Sequence, residues 1–303
     1  MKKLIFMLVL APWFFQAQNN VALFHTTNSG EAKFDKEHPE FTVAPFELLE
    51  GMIVVQAQVN GETGSFILDT GSPAMVVDNE RNPKENGVAM GVGGKMRIGK
   101  TELRDFSFGN IHKKDLEGYV LDISQLEQAC GRDLMGLIGY DVLKQYELQF
   151  DYSKKIILIY PASEAGRYHA SKPVKTIPFA LSEHVPVITV RVGGRKAYFG
   201  IDSGAAVNLL DTDYLGKLGD SVLSNVNEEW LVGLDNTRQL VVGANVGDCK
   251  IKGNCFPSMR YLFTDMSKME DQLGSRLDGL LGFPFFKGQN IAINYKKRKI
   301  YLW

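Results

Sequence analysis

Apolar and polar residues alternate with a period near two through much of this chain. In IVVQAQVNG (53–61) and VITVRVGG (187–194) the alternation ends on an Asn-Gly or a Gly-Gly pair, the pattern of a half-buried strand entering a tight hairpin. The return strands run into FILDTGSP (66–73) and YFGIDSGAA (198–206), where an apolar strand delivers an aspartate, a hydroxyl residue and a glycine in that order. QFDYSKKIILIY (149–160) and AINYKKRKIYLW (292–303) each read as two short strands around a charged turn. Lys296, Lys297, Arg298 and Lys299 are therefore a solvated hairpin tip and not a nucleic-acid patch. Helical signal is sparse, confined to short stretches such as DVLKQY (141–146) and MSKMEDQL (266–273). The expected fold class is all-β.

The pattern occurs twice. The stretch from Ala44 to Asp78 aligns without a gap on Ile177 to Asp211, so that Pro45 meets Pro178, Phe66 meets Phe199 and Asp69 meets Asp202. The tails align as well, Gly136 to Tyr160 on Gly279 to Trp303, and IGKTELRDFSF from Ile98 echoes VGDCKIKGNCF from Val246. This reads as one unit used twice. The organisation expected is a signal peptide over 1–18, a segment outside the repeat over 19–43, a first lobe over 44–160, a linker over 161–176 and a second lobe over 177–303.

A chain of 303 residues, 45% of them hydrophobic, holds enough apolar material for two ordinary cores. A formal net charge of -1 gives no basic face, so nucleic acid is set aside as a partner. At the N-terminus Lys2 and Lys3 precede an apolar run that is shorter than the ~20 residues a bilayer span needs, the layout of a secretory signal peptide. The expected destination is the periplasm or the medium, with no stable membrane insertion once the signal is cleaved. Export lets disulfides persist. Cys249 and Cys255 flank KIKGN, whose Gly253 and Asn254 are turn residues, and can close a small loop; Cys130 is left as a free thiol.

Two carboxylates in such loops make a chemical pair once symmetry brings the loops face to face. Glycine at 71 or 204 lets the backbone fold back and aim an amide N–H at the preceding carboxylate, and the hydroxyls of Thr70 and Ser203 can bond across to the other loop. At a separation of roughly 3 Å and an effective dielectric near 20, two such charges repel by about 5 kcal/mol, so one carboxyl keeps its proton. A water between them can lose a proton to the charged member as it attacks a carbonyl, while the protonated member donates to the developing oxyanion.

On these residues the chain resembles the pepsin and retropepsin superfamily of aspartic proteases, in the bacterial branch with two fused retropepsin-like units. The triads are Asp69-Thr70-Gly71 and Asp202-Ser203-Gly204, and the family's downstream apolar-apolar-glycine signature falls on Leu137-Ile138-Gly139 and Leu280-Leu281-Gly282. The resemblance implies two pseudo-twofold-related β-barrel lobes with a cleft between them, and an endopeptidase in which Asp69 and Asp202 are catalytic while Thr70, Gly71, Ser203 and Gly204 support them. It also implies a substrate-covering flap, whose glycines here are Gly91, Gly93 and Gly94. This flap lacks the tyrosine of pepsin-like enzymes and fits the retropepsin type better. The substrate implied is a peptide or protein, no cofactor or metal is required, and a monomer carries both members of the pair. A peptide-binding module that keeps the cleft but does not cut is the alternative.

Ser72 follows the first triad and Ala205 the second, and loss of a hydroxyl beside Asp202 is expected to raise the pair's titration. His25, His38, His112, His169 and His184 show no paired spacing for zinc and read as ordinary surface or core histidines. A glycosidase would also use two carboxylates but does not account for the symmetric hydroxyl-glycine loops.

Overall fold

The computed structural model describes residues 9–10, 41–78, 87–90, 95–233 and 237–303. The chain is mostly β-structure, arranged as three sheets. In the first half the strands Met52–Val59, Glu62–Leu68, Gly136–Ile138, Met75–Asp78, Ile111–Leu121 and Lys95–Phe108 pair in that order. The ring closes where Gln58 and Val59 pair with Ser107 and Phe106, which makes a small barrel. Closure leaves these strands no free edge, and alternating side chains fill the interior.

The second half follows the same path through Val185–Val192, Arg195–Ile201, Gly279–Leu281, Asn208–Asp211, Met259–Thr264 and Arg238–Val246. Two of its strands are broken where the first half runs straight. Pro257 lies between Asn254–Phe256 and Met259–Thr264, consistent with its missing N–H, and Asp248, at φ 46°, bends the chain between Arg238–Val246 and Cys249–Ile251. The ring still closes, through Arg191 and Val192 on Lys250 and Cys249.

A six-stranded sheet joins the halves in the order Lys175–Pro178, Lys299–Leu302, Asn290–Asn294, Tyr146–Asp151, Ile156–Pro161, Thr42–Pro45. Three strands come from each half, and the join is the antiparallel pairing of Tyr146–Asp151 with Asn290–Asn294. Thr42 and Lys175 both precede the lobe starts expected at 44 and 177, so those limits fall inside paired strands. Buried Glu147 in this sheet accepts from Asn294 Nδ2 at 2.6 Å and lies 2.5 Å from Nε2 of His169, which ties the segment after Pro161 onto the sheet.

One large apolar core runs through both halves and under this sheet, with Phe66, Phe106, Phe150, Phe199, Phe263 and Phe286 fully buried. Two smaller cores lie under the helices Ser124–Cys130 and Ser267–Leu273, which occupy matching places. Each helix ends on a left-handed glycine, Gly131 or Gly274, both at φ 61°. Sequence reading expects a helix only at the second place. DVLKQY shrinks to one turn, Tyr140–Leu143, and its counterpart Phe283–Phe286 was not expected.

The three cysteines are free. Cys249 faces Phe256 while Lys250 faces Cys255, so the two thiols alternate to opposite sides of their hairpin. Cys249 is buried and Cys255 exposed, so the loop they flank is not bridged. Of residues 1–18, expected to be a signal peptide, Val9–Leu10 forms a short strand on Leu223–Gly233, and the remainder lies outside the described residues. Among the described residues no helix is long and apolar enough to cross a membrane.

Candidate active site

Each aspartate stands at the end of a strand that pairs in parallel with a three-residue strand from the far end of its own half. Gly136, Leu137 and Ile138 lie beside Phe66, Ile67 and Leu68, and Gly279, Leu280 and Leu281 lie beside Phe199, Gly200 and Ile201. The Asp69 N–H donates to the Ile138 carbonyl and the Asp202 N–H to the Leu281 carbonyl, at 3.0 and 3.1 Å. The glycine after each signature admits the aspartate loop: a Cβ on Gly139 would strike the Ala74 backbone, and one on Gly282 the Ala205 and Val207 carbonyls.

The two loops meet through hydroxyl and amide groups. Ser203 Oγ accepts from the Thr70 N–H at 3.1 Å and donates to the Leu68 carbonyl at 2.9 Å. In return Thr70 Oγ1 accepts from the Ser203 N–H at 2.8 Å. The exchange is not fully symmetric, since Thr70 has Tyr295 near it instead of a second carbonyl partner. The Tyr295 hydroxyl is buried without an ordinary hydrogen bond, and burial pushes its pKa up.

The carboxylates rest on backbone amides. Asp69 Oδ1 accepts from Gly71 and Ser72 N–H at 2.8 and 3.0 Å, and Asp202 Oδ1 accepts from Gly204 N–H at 2.8 Å. The Gly71 N–H also donates to Asp202 Oδ1 at 3.1 Å, so one amide nitrogen serves both carboxylates. Glycine is required at 71 by this close approach, because a Cβ there would collide with the Asp202 carboxylate. Asp202 Oδ2 is buried and has no amide or hydroxyl donor among the described residues.

Asp69 and Asp202 are 1% and 0% exposed, and burial raises both carboxyls above the ordinary aspartate value. For Asp69 the neighbouring charge of Asp202 and the hydrogen bond it donates to Asp202 add to the rise, against the N–H groups of Gly71 and Ser72. For Asp202 the rise is opposed by the Gly204 N–H, the bond from Asp69 and the N–H groups of Gly71 and Ala205. Both carboxyls are thus held above the usual aspartate range, and they titrate as one coupled pair.

Residues 55–142 match the family model described as Aspartyl protease. Over this stretch the chain is similar to the aspartyl proteases. The matched stretch takes in Asp69-Thr70-Gly71 and Leu137-Ile138-Gly139, and it ends before the second loop. Comparison with curated proteins finds no match.

In the first half Gly87–Met90 pairs antiparallel with the start of Lys95–Phe108. The tip with Gly91, Gly93 and Gly94 lies outside the described residues. The second half has a hairpin of Leu223–Gly233 on Arg238–Val246.

One expectation changes. Ser72 Oγ donates to the Ala74 carbonyl at 2.9 Å, and only the Ser72 amide reaches Asp69. The hydroxyl missing at Ala205 is thus no carboxylate donor, and its absence does not explain any rise at Asp202.

His184 is the residue that sequence reading passed over. It is buried, and its Nε2 lies 2.7 Å from the Gly71 carbonyl. Its only signal in the sequence is its place, aligned on Gly51 in the turn before the strand Val185–Val192. Among the described residues no group of three His, Cys, Asp or Glu side chains is placed to hold a metal ion.

Proposed function

We propose that the protein is an exported aspartic endopeptidase built from a duplicated unit, in which Asp69 and Asp202 activate one water for attack on a peptide bond. The observation that carries this reading is the Gly71 amide shared by two buried carboxylates from opposite halves of the chain.

The charged Asp202 takes a proton from the water as its oxygen bonds to the scissile carbon, and Asp69 gives its proton to the carbonyl oxygen. Collapse of the tetrahedral species breaks the C–N bond as the proton held on Asp202 passes to the leaving nitrogen and one hydroxyl of the gem-diol returns its proton to Asp69, which restores the pair. Asp202 Oδ2, an acceptor with no amide or hydroxyl donor, suits the role of base. The amide cradle under each Oδ1 is already in place, so little reorganisation accompanies the charge movement. Both carboxylates come from one chain, and a monomer is competent. The apolar leader supports export to the periplasm or the medium.

Digestion of a peptide library across pH, with and without a statine-type inhibitor, tests the proposal. Inhibitable cleavage is expected; inhibitor binding with no cleavage would make the protein a peptide-binding module instead.

A further inference from the structure

His184 belongs to the second half, yet its imidazole closes on the aspartate loop of the first. A carbonyl oxygen only accepts, so the 2.7 Å contact with Gly71 O places the hydrogen on Nε2. That carbonyl is one end of the peptide whose other end is the Ser72 N–H, and this N–H donates to Asp69 Oδ1 at 3.0 Å. The residue's own N–H is the one shared by Asp69 and Asp202. The N–H groups of both peptides flanking Gly71 are thus committed to the carboxylates, and His184 holds the carbonyl oxygen of the second.

We propose that His184 is a positioning residue for the pair, fixing and polarising the Gly71–Ser72 peptide so that its N–H binds Asp69 more strongly. Hydrogen bonds in a chain strengthen one another, and the effect is larger where water is excluded. The inference rests on reading Asp69 and Asp202 as a coupled reacting pair.

The matching turn gives the contrast. Gly51 brings no side chain to the second loop, and a Cβ there would lie 3.1 Å from Phe283 and 3.3 Å from Ala206. There is no room for a ring, so only the loop of Asp69 is braced. Glu50 and Glu183, which precede these residues, both have left-handed backbones at φ 49° and 53°, so the turns share a shape and differ in what they carry.

Burial lowers the pKa of His184, against the Gly71 carbonyl and the carboxylates of Glu183 and Asp141, and the ring of Tyr140 lies 6.3 Å away. Burial thus favours the neutral imidazole, whose Nε2–H remains the donor to Gly71 O.

The test uses the full chain with 13C-labelled aspartate, comparing carboxyl titrations of the wild type, His184→Phe and His184→Gln. Loss of the donor weakens the Ser72 amide, so His184→Phe is expected to raise the upper titration step of the pair by roughly 0.2–0.5 pH units. His184→Gln places an amide N–H at similar reach and should restore the wild-type curve. With a cleavable peptide, kcat should fall roughly threefold to tenfold in His184→Phe with KM unchanged. A wild-type 15N spectrum should show His184 as the Nε2–H tautomer.

A His184→Phe curve that superposes on the wild type, a Gln variant that behaves like Phe, or an Nδ1–H tautomer would each overturn the inference. Should His184→Phe not fold, the Gln curve and the tautomer decide. The titration needs no turnover: a shifted curve in a protein that cleaves nothing would sink the endopeptidase reading and leave this one standing.

Discussion

Loop 69–74 receives an imidazole on its Gly71 carbonyl, whereas loop 202–207 meets the bare turn at Gly51. Loop 69–74 carries a serine whose hydroxyl closes on its own Ala74 carbonyl, and loop 202–207 has alanine at that place. Beneath these differences the backbone-to-backbone bonds that shape the two loops correspond. The Ser72 N–H returns to the Asp69 carbonyl and the Ala205 N–H to that of Asp202, while the Tyr140 N–H donates to Ser72 O and the Phe283 N–H to Ala205 O. The comparison teaches that the turn of each loop is a backbone property common to both, whereas the amides under the carboxylates are shared out unequally, since the Gly71 N–H serves both acids and the Gly204 N–H serves Asp202 alone.

Replacing either acid should have the largest effect. Asp69→Asn and Asp202→Asn keep the shape of the loops and remove the transferable proton or the charge, so peptide hydrolysis should fall by on the order of 10³-fold or more in each. Circular dichroism should show both variants folded. Retained turnover in either would remove the mechanism.

The bonds across the loops come next. Ser203→Ala deletes one acceptor and one donor and leaves the buried Thr70 N–H without its partner, at a cost of about 1–3 kcal/mol. Thr70→Val deletes one acceptor and keeps the branched shape, and should cost less. Urea unfolding of the two variants measures the difference; equal costs would mean that Thr70 has a second bond matching that of Ser203.

Ala205→Ser should have the smallest effect. By analogy with Ser72, the new hydroxyl turns to the Val207 carbonyl, so the pH-rate profile should move by less than about 0.3 pH units. An acidward shift beyond that would show the hydroxyl reaching Asp202 after all.

Much of this was legible in the chain. Alternating apolar residues and the Asn-Gly and Gly-Gly turns mark the barrel strands, and the spacing of the two triads and two glycine signatures marks which loops meet. What stayed hidden was set by long-range approach. The need for glycine at 71 reads locally as freedom to turn, yet the structure shows a collision with a carboxylate 131 positions away. His184 bonds a carbonyl 113 positions away, and nothing in its neighbours announces a partner. Cys249 and Cys255 sit at a bridging distance in sequence, but strand alternation turns them apart. The helix Ser124–Cys130 ends on a left-handed Gly131 like its counterpart, a signal present in the sequence and passed over.

The central claim is that Asp69 and Asp202 hold one proton between them. Both have folded pKa values raised above the ordinary 3.8, so the native pair binds more protons than the unfolded chain from about pH 4 upward. Its contribution to stability is present below that range and is lost as pH rises through the folded values. The most direct measurement is the carboxyl titration of the 13C-aspartate-labelled wild type beside Asp69→Asn and Asp202→Asn. We predict that the wild type keeps one of the two protons at pH 5, where isolated aspartates have ionised, and that each variant removes this coupled step. Two independent titrations near the ordinary aspartate value would contradict it.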